Sequence, residues 1–222
     1  MGKAVIGIIS YLPDDEKIRK HRFTKLANLL YQCNYIFNNL PIMIIAQNWK
    51  EEEFKKISKS NIECFFYDKL GIVGARNKLR EHFLNSEYDY LIMLDDDVSL
   101  TGGPIQGIEY LRQLNLYKDG FWEFSLTLLK LFAISKSLFK KESFDENINP
   151  ENGDGFEDRI FVSKLRAKYP NLKHQFNVTG LSQSSISTKD SDSTWYKNQD
   201  IKNMRDKTLK MIDKLNTKFN DI

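Results

Sequence analysis

Tyr90-Leu91-Ile92-Met93-Leu94-Asp95-Asp96-Asp97 decides the reading of this chain: an apolar run that ends directly in three carboxylates. A short continuous apolar run is the pattern of a strand buried on both faces, as in a parallel sheet. In open α/β sheets, ligands bind beyond the carboxyl ends of the strands, which is where the aspartates stand. If the chain stays extended, side-chain alternation points Asp95 and Asp97 to one face and Asp96 to the other. Three adjacent carboxylates repel one another and require a cation, and an all-oxygen donor set favours Mg²⁺ or Mn²⁺ over zinc. An EF-hand loop is excluded, because Val98, Ser99 and Leu100 break its acidic spacing. No GxxxxGK[ST] phosphate loop occurs anywhere in the chain.

Upstream of this stretch the pattern alternates. Ala4–Ser10 (AVIGIIS), Pro41–Gln47 (PIMIIAQ) and Ile62–Tyr67 (IECFFY) read as buried strands. Glu16–Cys33 reads as an amphipathic helix through Ile18, Leu26, Leu29, Leu30 and Cys33, with Glu51–Ser58 a short helix and Gly74–Asn85 another. The order β-α-β-α-β-α-β predicts a mostly parallel sheet flanked by helices. Downstream the rhythm changes. Ile105–Leu114 and Phe156–Lys168 read as helices, Phe124–Ser135 as a long β-type run, and 174–196 as a polar, Ser-rich loop. The expected organisation is a single α/β domain over 1–222: a ligand-binding half (1–100), a more irregular half (101–196) and a basic amphipathic terminal helix (197–222).

Composition agrees with that picture. The 222 residues are 41% hydrophobic and 28% charged, which excludes a disordered, collagenous or coiled-coil chain. No apolar run approaches the roughly 20 residues of a membrane span. Met1–Ser10 enters a strand with no cleavable signal pattern, and Cys33 and Cys64 read as reduced and structural, so a cytoplasmic protein is expected. The net charge of +3 argues for no particular partner. Basic residues do gather between Lys197 and Lys218, with apolar ones at Ile201, Met204, Ile212, Leu215 and Phe219. That helix either packs on the domain with a solvated lysine face or touches an anionic membrane or nucleic acid.

Two further segments carry chemistry. Leu70–Asn77 (LGIVGARN) links the third strand to its helix. Its glycines allow close backbone approach, the helix N-terminus favours phosphate, and Arg76 adds a charge-assisted bond or else stands in solvent. Asn152–Asp158 (NGDGFED) opens the helix at Phe156, with Asp154 and Glu157 in capping-box spacing. Asp158 stands one turn before Phe161 and two before Leu165, which predicts a carboxylate on the buried side of that helix.

Taken in order, these segments resemble the GT-A-type nucleotide-sugar glycosyltransferases, and in particular the large family-2 group. The likeness runs over roughly residues 4–180: Val73-Gly74-Ala75-Arg76-Asn77, then YDYLIMLDDDV, then LFAISKSLF, Phe144-Asp145-Glu146 and GFEDRIFVSKLR. The resemblance implies a GT-A fold and an inverting glycosyltransferase that uses a nucleotide-diphosphate sugar, UDP favoured, with Mn²⁺ or Mg²⁺. It implies that Asp95 and Asp97 hold the metal and diphosphate, with His174 as a further metal ligand. Asp158, with Glu157 beside it, takes the position of the catalytic base. Ser10, Tyr11, Asp68, Arg76, Asn77 and Asp96 line the nucleotide-sugar site, and Trp195 in the Ser-rich loop belongs to a lid or acceptor platform. The sequence departs from the family after the second strand, where Gln47-Asn48-Trp49 replaces the usual acidic pair. The implied acceptor is a glycan, lipid-linked sugar or protein, or a hydroxymethylated pyrimidine in DNA, since the short chain also looks like phage-type enzymes of that kind. The competing readings are an Asp-x-Asp phosphatase and a non-catalytic nucleotide-binding domain.

Overall fold

The computed structural model describes residues 2–123, 131–148, 156–176, 178, 180–185 and 201–220. Its centre is formed by the apolar runs. Strands β1 (Ala4–Tyr11), β2 (Ile42–Gln47), β3 (Ile62–Tyr67) and β4 (Tyr90–Asp95) pair in parallel, β1 lying between β2 and β4 and β3 outside β2. All six residues of β2 are buried, as a strand covered on both faces requires. The crossover helices are α1 (Glu16–Ile36), α2 (Glu51–Phe54) and α3 (Gly71–Asn85). Asp15 starts α1 by accepting the Ile18 N–H at 2.9 Å, an N-cap that satisfies an otherwise orphaned donor.

The second half completes the sheet through one strand, β7, of opposite polarity. After β5 (Val98–Thr101) and α4 (Pro104–Leu114) come β6 (Phe121–Glu123) and β7 (Leu131–Ser135). Next are α5 (Lys136–Lys141), α6 (Glu157–Lys168), β8 (Lys173–Gln175), β9 (Ser182–Ser185) and α7 (Ile201–Asn220). The seven-stranded sheet has the order β3-β2-β1-β4-β7-β6-β8. β7 runs antiparallel to both β4 and β6, and β8 lies parallel to β6.

Each face of the sheet has its own core. Leu26, Leu29, Leu30 and Cys33 of α1 pack with Tyr110 and Leu114 of α4 on Ile6, Ile8 and Ile44. On the other face, Leu79 and Phe83 of α3 join Phe139, Phe161 and Leu165 against Val5, Ile9, Leu91 and Met93. Cys33 is buried and Cys64 half-buried, and neither forms a disulfide. Among the described residues no helix is long and apolar enough to cross a membrane.

Two expectations need correction, and two more are narrowed. The Gly-Ala-Arg-Asn segment lies within α3, which begins at Gly71, where a φ of 71° turns the chain into the helix. Of the long β-type run 124–135, Leu131–Ser135 forms β7, and 124–130 lie outside the described residues. The segment read as a polar loop contains two strands instead, because β8 finds β6 and β9 finds β5 as partners. Such long-range pairing overrides local polarity. The terminal helix packs on the domain: Met204 and Thr208 of α7 are buried, and Thr208 Oγ1 accepts the Phe156 N–H at 3.0 Å, ahead of α6.

Candidate active site

Strand alternation separates the first two aspartates as expected. Asp95 ends β4 toward the α3/α6 face, where its Oδ1 accepts from Arg76 Nη2 at 3.1 Å. Asp96 turns toward α1. Its Oδ2 accepts from Ser10 Oγ at 2.7 Å and its Oδ1 from Arg22 Nη1 at 3.0 Å. Trp49 Nε1 in turn donates to Ser10 Oγ at 3.1 Å. The result is a chain, Trp49–Ser10–Asp96–Arg22, buried except at half-buried Arg22. Burial pushes the Asp96 carboxyl up, and Asp97 adds to that, while Arg22, Ser10 and Lys25 oppose it.

On the other face Arg76 is shared. Its Nη2 lies 3.1 Å from Asp95 Oδ1 and 3.3 Å from Glu157 Oε1, with the Arg76 side chain 3% and that of Glu157 5% exposed. The Phe144 ring covers the guanidinium, its centroid 5.3 Å from Cζ. Burial alone pulls Arg76 down, but Asp95, Glu157, Asp158 and Asp97 outweigh it and hold the guanidinium above its ordinary pKa. Two carboxylates, Asp95 and Glu157, thus meet one buried cation at the carboxyl end of β4, and Asp97 and Asp158 add negative charge nearby. Burial pushes Glu157 from 4.5 up to about 7, Arg76 opposes the shift, and Asp158 and Asp95 reinforce it.

The buried carboxylate of α6 is therefore Glu157, not Asp158. Asp158 is half-exposed, and its Oδ1 accepts the Arg159 N–H at 2.7 Å. Helical spacing to Phe161 and Leu165 misassigned it, because the first residue of α6 turns inward to meet Arg76. The solvent alternative for Arg76 is likewise overturned.

The remaining candidates divide. Tyr11, Gln47 and Tyr67 lie on one register line at the carboxyl edge, and Asp68, exposed, follows directly. Lys69 Nζ lies 5.9 Å from the Tyr11 ring centroid. Asn77 turns to the segment after α5 instead: its Nδ2 donates to the Phe144 carbonyl at 3.1 Å and its Oδ1 accepts the Phe144 N–H at 3.1 Å. His174 is not brought to the aspartates. It pairs through Trp122 and Ala133 with Ile92, three strands from β4 and three residues short of Asp95. That is about 14 Å across the sheet. Its ring stacks on Tyr117 at 3.8 Å, and Nε2 lies 3.3 Å from the Asp119 carbonyl. Gly120 makes room for it, since a Cβ there would stand 2.5 Å from the imidazole. Trp195 lies outside the described residues.

Among the described residues no group of three or more His, Cys, Asp or Glu is placed to hold a metal ion. Asp95 and Asp97 fit a cation of the Mg²⁺ or Mn²⁺ type nonetheless. Such ions take one or two carboxylates and complete their octahedron with phosphate oxygens and water. The reading from sequence missed Arg22 and Trp49. Arg22 did carry a signal: it lies midway between Ile18 and Leu26 at four-residue spacing, a cation on the apolar face of α1.

No protein-family model and no curated protein matches the sequence. Solved structures do. Residues 1–349 of TarS from S. aureus in complex with UDP-GlcNAc give a TM-score of 0.58 at 11% identity, over 88% of this chain and 61% of that one. The mannosyltransferase PcManGT from Pyrobaculum calidifontis, in complex with GDP-Man and Mn²⁺, gives 0.59 at 10% identity, over 85% and 58%. A cytidylyltransferase from Leptospira borgpetersenii gives 0.50 at 11% identity, over 86% and 79%. The chain spans less than two thirds of the length of TarS 1–349 and of PcManGT. At such identities the likeness establishes the architecture, a GT-A-type fold.

Proposed function

We propose that this chain, a GT-A-type fold, is a divalent-metal-dependent glycosyltransferase. It moves a sugar from a nucleoside-diphosphate sugar, a UDP-sugar in the first instance, to an acceptor hydroxyl with inversion. The observation that carries this reading is the pairing of Asp95 and Glu157 with buried Arg76 at the carboxyl end of β4, where Asp97 and Asp158 add negative charge. The complexes of similarly folded proteins with UDP-GlcNAc and with GDP-Man and Mn²⁺ support the donor class and the cation.

Asp95 and Asp97 offer the oxygens that would hold the cation with the donor diphosphate. When bound, the cation supplies Lewis-acid stabilisation of the charge that develops on the leaving diphosphate. Asp158, half-exposed on the first turn of α6, takes the proton of the acceptor hydroxyl, a contribution of about 10²–10⁴-fold. Glu157 is committed to Arg76 and does not react. Tyr11 and Asp68 stand at the edge where a nucleoside would lie, and the Trp49–Ser10–Asp96–Arg22 chain forms its floor. The acceptor is a hydroxyl of a glycan, lipid or protein, or of a hydroxymethylated pyrimidine in DNA; salt-sensitive binding to duplex DNA singles out the last.

A panel of nucleotide sugars with Mn²⁺ or Mg²⁺, and no acceptor, tests the proposal. Slow, metal-dependent release of a nucleoside diphosphate from one donor supports it. Pyrophosphate release from a nucleoside triphosphate and a sugar phosphate assigns nucleotidyl transfer instead, and hydrolysis of a simple phosphate monoester assigns a phosphatase.

A further inference from the structure

Arg76 stands between the carboxylate that would hold the cation and the helix that carries the proposed base. One of its nitrogens, Nη2, serves both Asp95 Oδ1 at 3.1 Å and Glu157 Oε1 at 3.3 Å. A guanidinium stays charged at any ordinary pH, so burying it requires a carboxylate partner at all times. Two partners at nearly equal distance give it two seats. Its Nε–H, also buried, has no hydrogen-bond partner among the described residues, so the group is not fastened along its whole donor edge. A divalent cation and a guanidinium repel each other and compete for the same carboxylate oxygens.

We infer that Arg76 is a resident counter-ion for Asp95, which it surrenders when the divalent cation binds by withdrawing onto Glu157. Arg76 is then a positioning residue. It keeps Asp95 aimed along the end of β4 while the site is empty, and it returns to Asp95 as the cation leaves. Glu157 is what permits the exchange, because without it the displaced guanidinium would be buried with no carboxylate in direct contact. The two steps involve no covalent change. The inference rests on the reading of Asp95 and Asp97 as cation ligands.

The test is Mn²⁺ binding to the full chain, without donor or acceptor, followed by calorimetry or by the electron-spin signal of free Mn²⁺. Glu157→Gln removes the second seat, so Arg76 belongs to Asp95 alone and Mn²⁺ affinity falls about tenfold. In the double variant Arg76→Met/Glu157→Gln neither charge is left buried, the competitor is gone, and affinity rises above that of the parent by a similar factor. A merely structural role for Arg76 weakens binding in both variants, and that result overturns the inference. Melting curves identify a variant that does not fold. A structure of the parent protein with Mn²⁺ then decides: the exchange requires Arg76 to keep Glu157 and leave Asp95, and an unchanged Arg76–Asp95 bond overturns it. A parent protein that binds no Mn²⁺, even with a nucleoside diphosphate, overturns the cation reading itself and the exchange with it. Parent binding with affinity unchanged in both variants overturns the exchange alone.

Discussion

Asp95 and Asp96 are neighbours in sequence and opposites in setting. Asp96 faces α1 and is tied on both oxygens, to Ser10 and to Arg22, with Trp49 bracing Ser10 behind it. Asp95 faces α3 and α6 and shares a single guanidinium nitrogen with Glu157. A carboxylate whose acceptors are saturated by fixed donors contributes to structure. One whose cation has a second carboxylate to move to can exchange that cation for another. The pleat of one strand thus turns a run of like residues into an anchor and a candidate ligand.

The largest effect expected from breaking this contrast lies on the α6 side. Asp158→Asn should retain donor binding and lose turnover by about 10²–10⁴-fold, checked by single-turnover transfer beside a donor-binding titration. Retained turnover moves the base elsewhere. Next come the two aspartates themselves. Asp96→Ala should lower stability by about 2–3 kcal/mol in denaturant titrations, because it removes the charged acceptor of two donors. Asp95→Ala should cost less stability. Equal losses of stability would erase the distinction drawn between them.

Glu157 gives the contrast a pH dependence. Its carboxyl is raised from 4.5 to about 7, so the folded state binds the proton more tightly than the unfolded chain. The stability tied to this group is fully present below pH 4.5 and is lost as pH rises through about 7. Thermal melts of the parent across that window, compared with Glu157→Gln, should show a decline in the parent that the variant lacks. Parallel curves would mean that Glu157 is not shifted. The smallest effect belongs to the brace: Trp49→Phe keeps the ring among Phe23 and Phe54 but deletes the donor to Ser10, costing about 1 kcal/mol.

How much of this could be read in advance follows from the range of the forces involved. The four parallel strands were legible because each is a short apolar run flanked by polar turns, and burial on both faces writes itself directly into sequence. The aspartate cluster was legible for the same reason, since β4 delivers it to the ligand edge. In the second half the helices α4 and α6 were legible, but the strand pairing was not. β6, β7 and β8 are short, and their pairing order is fixed by partners far away in the chain. Asp158 and Glu157 were exchanged because spacing along α6 cannot reveal that Arg76, on another helix, waits for the first residue of α6. The family resemblance alone offers His174 as a metal ligand, whereas its strand lies at the far edge of the sheet. Arg22 was overlooked because a basic residue on a helix is ordinarily solvated, and only its spacing between Ile18 and Leu26 argued otherwise.

The measurement that bears most directly on the central claim is a calorimetric titration of Mn²⁺ into the protein in the presence of UDP, repeated with Asp97→Ala. The account predicts one Mn²⁺ bound per chain, more tightly with UDP than without, and loss of that binding in the variant. Absence of binding in the parent, or undiminished binding in Asp97→Ala, would contradict it.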